Sequence, residues 1–208
     1  GNLRGAPTMR FPRLPENLVT PYQGFLILGT GGLLAALLWP DLQTRRTLFL
    51  QILAVLQGIL ALQVGEAEHG YGPVPPRLRL ARLAFFNLLA VFLALPLVLV
   101  YRVETGASWS GFLLATLFFG AHGFVWMGVG HGLAGLVRSD GVRFVLKYGG
   151  FILALLGPLF LAWPASALTI LPALWAGKAE GWPGFFGYLG LSGVSLGLWL
   201  RPRSCQKG

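Results

Sequence analysis

Two histidines inside one apolar run, His122 and His131, have the most obvious ligand chemistry in this chain. Imidazole is rare in hydrocarbon and binds metal or haem iron well. Nine residues of helix turn the chain by about 900° and advance it about 13.5 Å, so the two rings face opposite ways and cannot share a ligand. Each needs its own partner, and His69 is the only other histidine. The expectation is hydrogen-bonded histidines in a helix bundle and no metal site, with haem as the weaker alternative. Paired carboxylates within the apolar runs, a Ser-His-Asp set and a glycine-rich phosphate loop are all missing from the sequence. The expectation is therefore no catalytic residue and no enzyme activity. Cys205 is the only cysteine, so an internal disulfide or thiolate cage cannot form.

The elements that would position such residues are six apolar runs, Gly24–Trp39, Leu48–Val64, Leu83–Tyr101, Trp109–Val137, Val145–Trp163 and Trp182–Leu200. A helix needs about 20 mostly apolar residues to cross about 30 Å of hydrocarbon. The composition agrees, with 55% hydrophobic residues and only 11% charged, where a soluble domain carries about 25%. The fold expected is all-α, a polytopic membrane protein of six transmembrane helices. Residues 1–23 form an N-terminal cytoplasmic or interfacial segment, 24–200 the transmembrane domain and 201–208 a cytoplasmic tail. Leu14–Tyr22, among Pro12, Pro15 and Pro21, is expected to lie at the interface. No cleavable signal peptide is expected, and residues ahead of Met9 carry no structural weight.

Polar and small residues within the runs suggest how the helices meet. Gln51, Gln57 and Gln63 are six residues apart, which points them to three faces and predicts separate interhelical hydrogen bonds. The Trp109–Val137 run is 29 residues long, about 43 Å as a helix, so it must tilt, break or project from the bilayer. Gly128, Gly132 and Gly135 share one face of it with Ala121, and Gly190, Gly193 and Gly197 form a similar ridge on the last run. Both ridges are helix-packing candidates. Leu168–Trp175 is apolar but too short to span, and Trp163, Trp175 and Trp182 suit an aromatic belt or a lid over the outer exit.

A net charge of +9 would suggest nucleic acid in a soluble protein, but here the placement of the charges decides. With the N-terminus cytoplasmic, twelve basic residues fall on inner segments: Arg4, Arg10 and Arg13; Arg77, Arg79 and Arg82; Arg138, Arg143 and Lys147; Arg201, Arg203 and Lys207. Outer loops hold only Arg45, Arg46, Arg102 and Lys178, which accounts for all 16. Both termini are therefore expected in the cytoplasm, in a multi-pass inner-membrane protein. Anionic lipid is a partner and nucleic acid is not.

The inner loop between the second and third runs carries Glu68-His69-Gly70, then Pro75 and Pro76, then Arg82 at the start of the third run. This resembles the acidic-x-Gly, proline and basic elements of type-2 ATP-binding-cassette (ABC) exporter permeases. Gly132-Leu133-Ala134-Gly135-Leu136-Val137-Arg138-Ser139-Asp140-Gly141 resembles that family's ending of the fourth span. The resemblance covers most of the chain after Gly24, though the stretch from Gly70 to Pro75 is several residues shorter than the family pattern. It implies a permease subunit of an ABC exporter, with no cofactor on this chain and ATP and Mg on a partner ATPase. A second permease copy or a related permease would complete the pathway. Glu66, Glu68, Gly70, Arg77, Arg79, Arg82, Arg138 and Asp140 become the ATPase-coupling candidates. Few charges in the runs favour a hydrophobic or lipid-like cargo, and a haem-exporter permease of cytochrome c maturation shares the same plan. The rival from another class is a non-transporting structural or cofactor-holding subunit of a larger membrane complex. A small secondary transporter lacks the membrane carboxylate that ion coupling would use.

Overall fold

A computed structural model describes residues 15–71, 74–160 and 166–200. Among these residues the chain is all-α, with seven helices: α1 (Glu16–Leu38), α2 (Leu42–Gly70), α3 (Pro76–Thr105), α4 (Trp109–Leu136), α5 (Asp140–Phe160), α6 (Ala167–Trp175) and α7 (Trp182–Leu200). The first five are long and apolar enough to cross a membrane. Helix α7 has 19 residues, but five glycines and two serines dilute its hydropathy and it falls outside that set. A polytopic membrane bundle is the architecture these helices support. The cations Arg4, Arg10, Arg13, Arg201, Arg203 and Lys207, together with Met9, Cys205, Trp163 and Pro164, lie outside the described residues.

Local chemistry sets the helix ends. The Asp41 carboxylate accepts from the Thr44 amide at 2.7 Å, and the Ser108 hydroxyl accepts from Gly111 at 3.1 Å, which starts α2 and α4. Gly106, at φ 66°, closes α3 in the left-handed conformation that only glycine adopts without strain. Pro75 and Pro76 fix the start of α3, and α2 continues unbroken to Gly70. At the N-terminus, residues 16–22 are helical and continue directly into the rest of α1, with Pro21 inside the helix. Leu18 and Tyr22 anchor this stretch in the core, and the Tyr22 hydroxyl donates to the Phe86 carbonyl at 2.6 Å.

The core lies where α2 and α4 meet. Ala54 faces His122, Leu62 faces Gly130 and His69 faces His131, so the two helices run parallel. Helix α1 packs on α2 and α3, α7 lies along α4, and α6 wedges between the N-terminal ends of α2 and α4. Its apolar face is fully committed, with Ile170, Leu171, Leu174 and Trp175 buried, and Trp175 packs against Tyr101. Helix α5 is the least covered of the long helices and exposes Phe144, Ile152, Leu153 and Phe160.

Candidate functional site

The end of the bundle where α2 meets α3 and α5 gathers most of the acidic and basic side chains singled out above. Two ion-pair clusters form there, and each begins on the last turns of α2. Glu68, 2% exposed, faces Arg82 of α3 at 3.2 Å. The Arg82 guanidinium also lies over the Tyr71 ring, 4.2 Å from its centroid, and the Tyr71 hydroxyl donates to Asn17 of α1 at 3.3 Å. Burial pushes the Tyr71 phenol up, while the Arg82 charge opposes that rise. Arg79, 5% exposed, lies close enough for its charge to act on Glu68, and it donates to the Val74 carbonyl at 3.3 Å. This first cluster ties α1, α2 and α3 together.

The second cluster ties α2 to α5. Glu66 faces Arg143 Nε at 2.8 Å and accepts from the Lys147 ammonium, and Arg143 also holds Asp140 at 2.5 Å. Lys147 sits in a π turn, Val145–Gly149, that interrupts α5. Within that turn Lys147 is 6% exposed, while Val145, Leu146 and Gly149 face outward. The π turn thus presents an ammonium to α2 from an otherwise apolar stretch. Gln63 extends the contact by donating to the Tyr148 hydroxyl at 3.3 Å. A groove of about 310 Å³ between α1 and α2 opens beside Glu66.

Unequal partner sets predict unequal costs here. Lys147→Met leaves Glu66 with Arg143, whereas Glu66→Ala leaves the buried ammonium without its carboxylate. Thermal unfolding in detergent is expected to show a loss of about 2 kcal/mol for Glu66→Ala and a clearly smaller one for Lys147→Met.

The eight coupling candidates therefore divide. Glu66, Glu68, Arg82 and Asp140 are engaged in ion pairs within the chain, and Arg79 is buried beside Glu68. Gly70, Arg77 and Arg138 are exposed at the same end, next to exposed Leu78 and Leu136. Sequence reasoning treated Arg143 and Lys147 only as topological cations. Their four-residue spacing at the head of an apolar run was the available signal that both could reach one carboxylate.

Further along α4, polar groups serve packing. His122 is fully enclosed, with Nε2 3.2 Å from the Ala54 carbonyl and the ring among Phe118, Trp126 and Tyr188. His131 lies against His69, ring centroids 5.3 Å apart, so the two histidines of α4 meet different parts of α2. Among the described residues, no three His, Cys, Asp or Glu side chains are grouped to hold a metal ion. Gln57 donates to the Phe119 carbonyl at 2.6 Å and Asn87, which sequence reasoning missed, donates to the Gly120 carbonyl at 2.8 Å. Gln51 donates to the Leu168 carbonyl at 3.0 Å, so the three glutamines bond to three different helices. Each such bond is worth about 0.6–2 kcal/mol between membrane helices.

Comparison with family models, with curated proteins and with solved structures finds no match.

Proposed function

We propose that this chain is the transmembrane permease subunit of an ABC exporter in a bacterial inner membrane, with six spans and both termini in the cytoplasm. In this reading α7 is the sixth span, since 19 residues of helix extend about 28 Å. The observation that carries the proposal is the Glu68–Arg82 pair. The acidic and the basic positions of the permease-like segment are 14 residues apart in sequence and 3.2 Å apart in space. A second permease copy, or a related one, completes the pathway between the two chains. A separate ATPase dimer binds ATP and Mg and docks at the ion-paired end. Exposed Arg77 and Arg138 make the polar contact with the ATPase, and Leu78 and Leu136 the apolar one. Helix α2 bears both Glu66 and Glu68, so a push on the α2–α3 connection reaches α3 through Arg82 and α5 through Arg143 and Lys147. Nucleotide then drives transport by stabilising one of two arrangements of the bundle over the other.

The test is purification from the native membrane in mild detergent, with stoichiometric partners identified by mass spectrometry. An ABC ATPase is expected, and the double substitution R77E/R138E is expected to lower its recovery at least fivefold while the melting temperature stays unchanged, because both side chains are exposed. Recovery of respiratory or other membrane subunits with no ATPase would sink the permease reading and make the chain a structural subunit.

A further inference from the structure

The end of the bundle opposite the Glu66 and Glu68 pairs holds a cavity of about 700 Å³, bounded by the start of α2, the α3–α4 turn, α6 and the segment that follows it. Its size falls within the range of small-molecule sites, about 300–1,000 Å³. Four cations occupy this end of the bundle, and two of them do not line the cavity. Arg45 donates twice to the Trp39 carbonyl, at 3.0 and 2.7 Å, and the Arg102 guanidinium lies 3.7 Å from the Trp109 ring centroid. The side chains of the other two, Arg46 and Lys178, have no ion-pair or hydrogen-bond partner among the described residues, and both line the cavity. Glu180 is the one carboxylate on the same wall, against two cations. At the other end Arg82, Arg143 and Lys147 are neutralised by carboxylates, and the exposed Arg77 and Arg138 line no such cavity.

The rest of the lining selects the ligand. Ser108 brings a hydroxyl to the cavity, the Thr47 and Thr169 hydroxyls on its wall donate to the Thr44 and Ser166 carbonyls, and Leu168, Pro172 and Ala173 of α6 make one wall apolar. An Arg fork and a Lys point charge match a group with several charged oxygens better than a lone carboxylate. The apolar wall has no use for a bare ion. We propose that this cavity binds a phosphate-bearing amphiphile, with Arg46 and Lys178 holding the phosphate and α6 covering the apolar part. The site stands on the cavity and its unpaired cations, whether or not the chain is a permease.

The experiment is native mass spectrometry of the full chain in detergent, titrated with phosphatidylglycerol and, separately, with phosphatidylcholine. The expected result is selective retention of phosphatidylglycerol, reduced about tenfold or more in R46Q/K178Q. Thr169→Trp, which fills the cavity and keeps both cations, is expected to reduce retention as well, and E180Q to raise it. Exposed Glu104, at the same end but not on the cavity wall, is the control for non-specific charge, and E104Q is expected to leave retention unchanged, unlike E180Q. Competition with inorganic phosphate separates the two sources of the ligand. Displacement means the site accepts a free phosphate compound, and failure to displace means it holds a bilayer lipid by both head and chain. Equal retention by wild type and R46Q/K178Q, or equal gains in E104Q and E180Q, would overturn the proposal.

Discussion

Alanine at Gly65 or at Gly130 is expected to destabilise the folded bundle by about 3 kcal/mol or more, through a single added methyl group. These two glycines form the closest approach of α2 and α4. A Cβ at Gly65 would strike the Met127 carbonyl, and a Cβ at Gly130 would strike the Leu62 carbonyl. In both cases the obstacle is backbone, so no side chain can swing aside and the helices themselves must separate. Separation would also stretch the His122 contact to Ala54 and the Gln57 bond to Phe119, which cross the same interface. Gly132→Ala and Gly190→Ala are the controls, because a Cβ at either site meets nothing within 4 Å. Both are expected to be neutral or to stabilise by up to about 1 kcal/mol, since alanine is the better helix former. Thermal unfolding in detergent, followed by loss of the monodisperse elution peak, measures all four. Equal melting temperatures for Gly130→Ala and Gly132→Ala would refute the close-packed α2–α4 interface.

The same glycines show where the sequence was legible and where it was not. Apolar runs long enough to span are a strong signal, and α2 to α5 each contain the greater part of the run expected there. Periodicity on one helix, by contrast, says which residues share a face but not what the face meets. The ridge on Trp109–Val137 divides, with Gly128 against Ser195, Gly135 against His69 and Gly132 in open space. Gly190, Gly193 and Gly197 meet nothing within 4 Å in this chain. The glycines that do set backbone contacts, Gly65, Gly111 and Gly130, are scattered over two helices and form no visible stripe. Pro21 is a different case. It is the sixth residue of α1, past the amides that lack intrahelical acceptors, so it leaves the Asn17 carbonyl without its i→i−4 bond, and the helix holds there because Tyr22 and Leu18 give that turn a buried anchor. For the candidate site, the residue types were legible and their pairings were not. Glu66 and Glu68 read as loop-end carboxylates because α2 outlasts its apolar run by nearly two turns, and only the tertiary fold brings Arg82, Arg143 and Lys147 beside them.

Glu68→Ala is expected to cost about 3–5 kcal/mol, as is usual when one member of a buried ion pair is removed and the other is left. The two ends of this pair are not equivalent, and the asymmetry is the sharper prediction. Removing Glu68 takes away the carboxylate that faces both Arg82 and Arg79, and Arg79 is 5% exposed and cannot turn to water. Removing Arg82 leaves Glu68 with the Arg79 charge still close by, and Arg82 itself is 18% exposed along its side chain. Arg82→Ala therefore costs less than Glu68→Ala, even though it also gives up the stacking on Tyr71, worth about 0.5–1 kcal/mol. In the double substitution the two losses overlap, and a coupling energy of about 1–3 kcal/mol is expected from the cycle. Glu68→Gln keeps the shape without the charge, so its melting temperature is expected between wild type and Glu68→Ala. The measurement is the full cycle of melting temperatures on purified protein in one detergent. Additive losses would mean that the pair is not a unit, and α2 would then have no charge contact through which to move α3. With the coupling present, a displacement of the last turn of α2 reaches α3 through one buried pair and α5 through Glu66. That pair of contacts makes the charged end a single mechanical element rather than three independent helix ends.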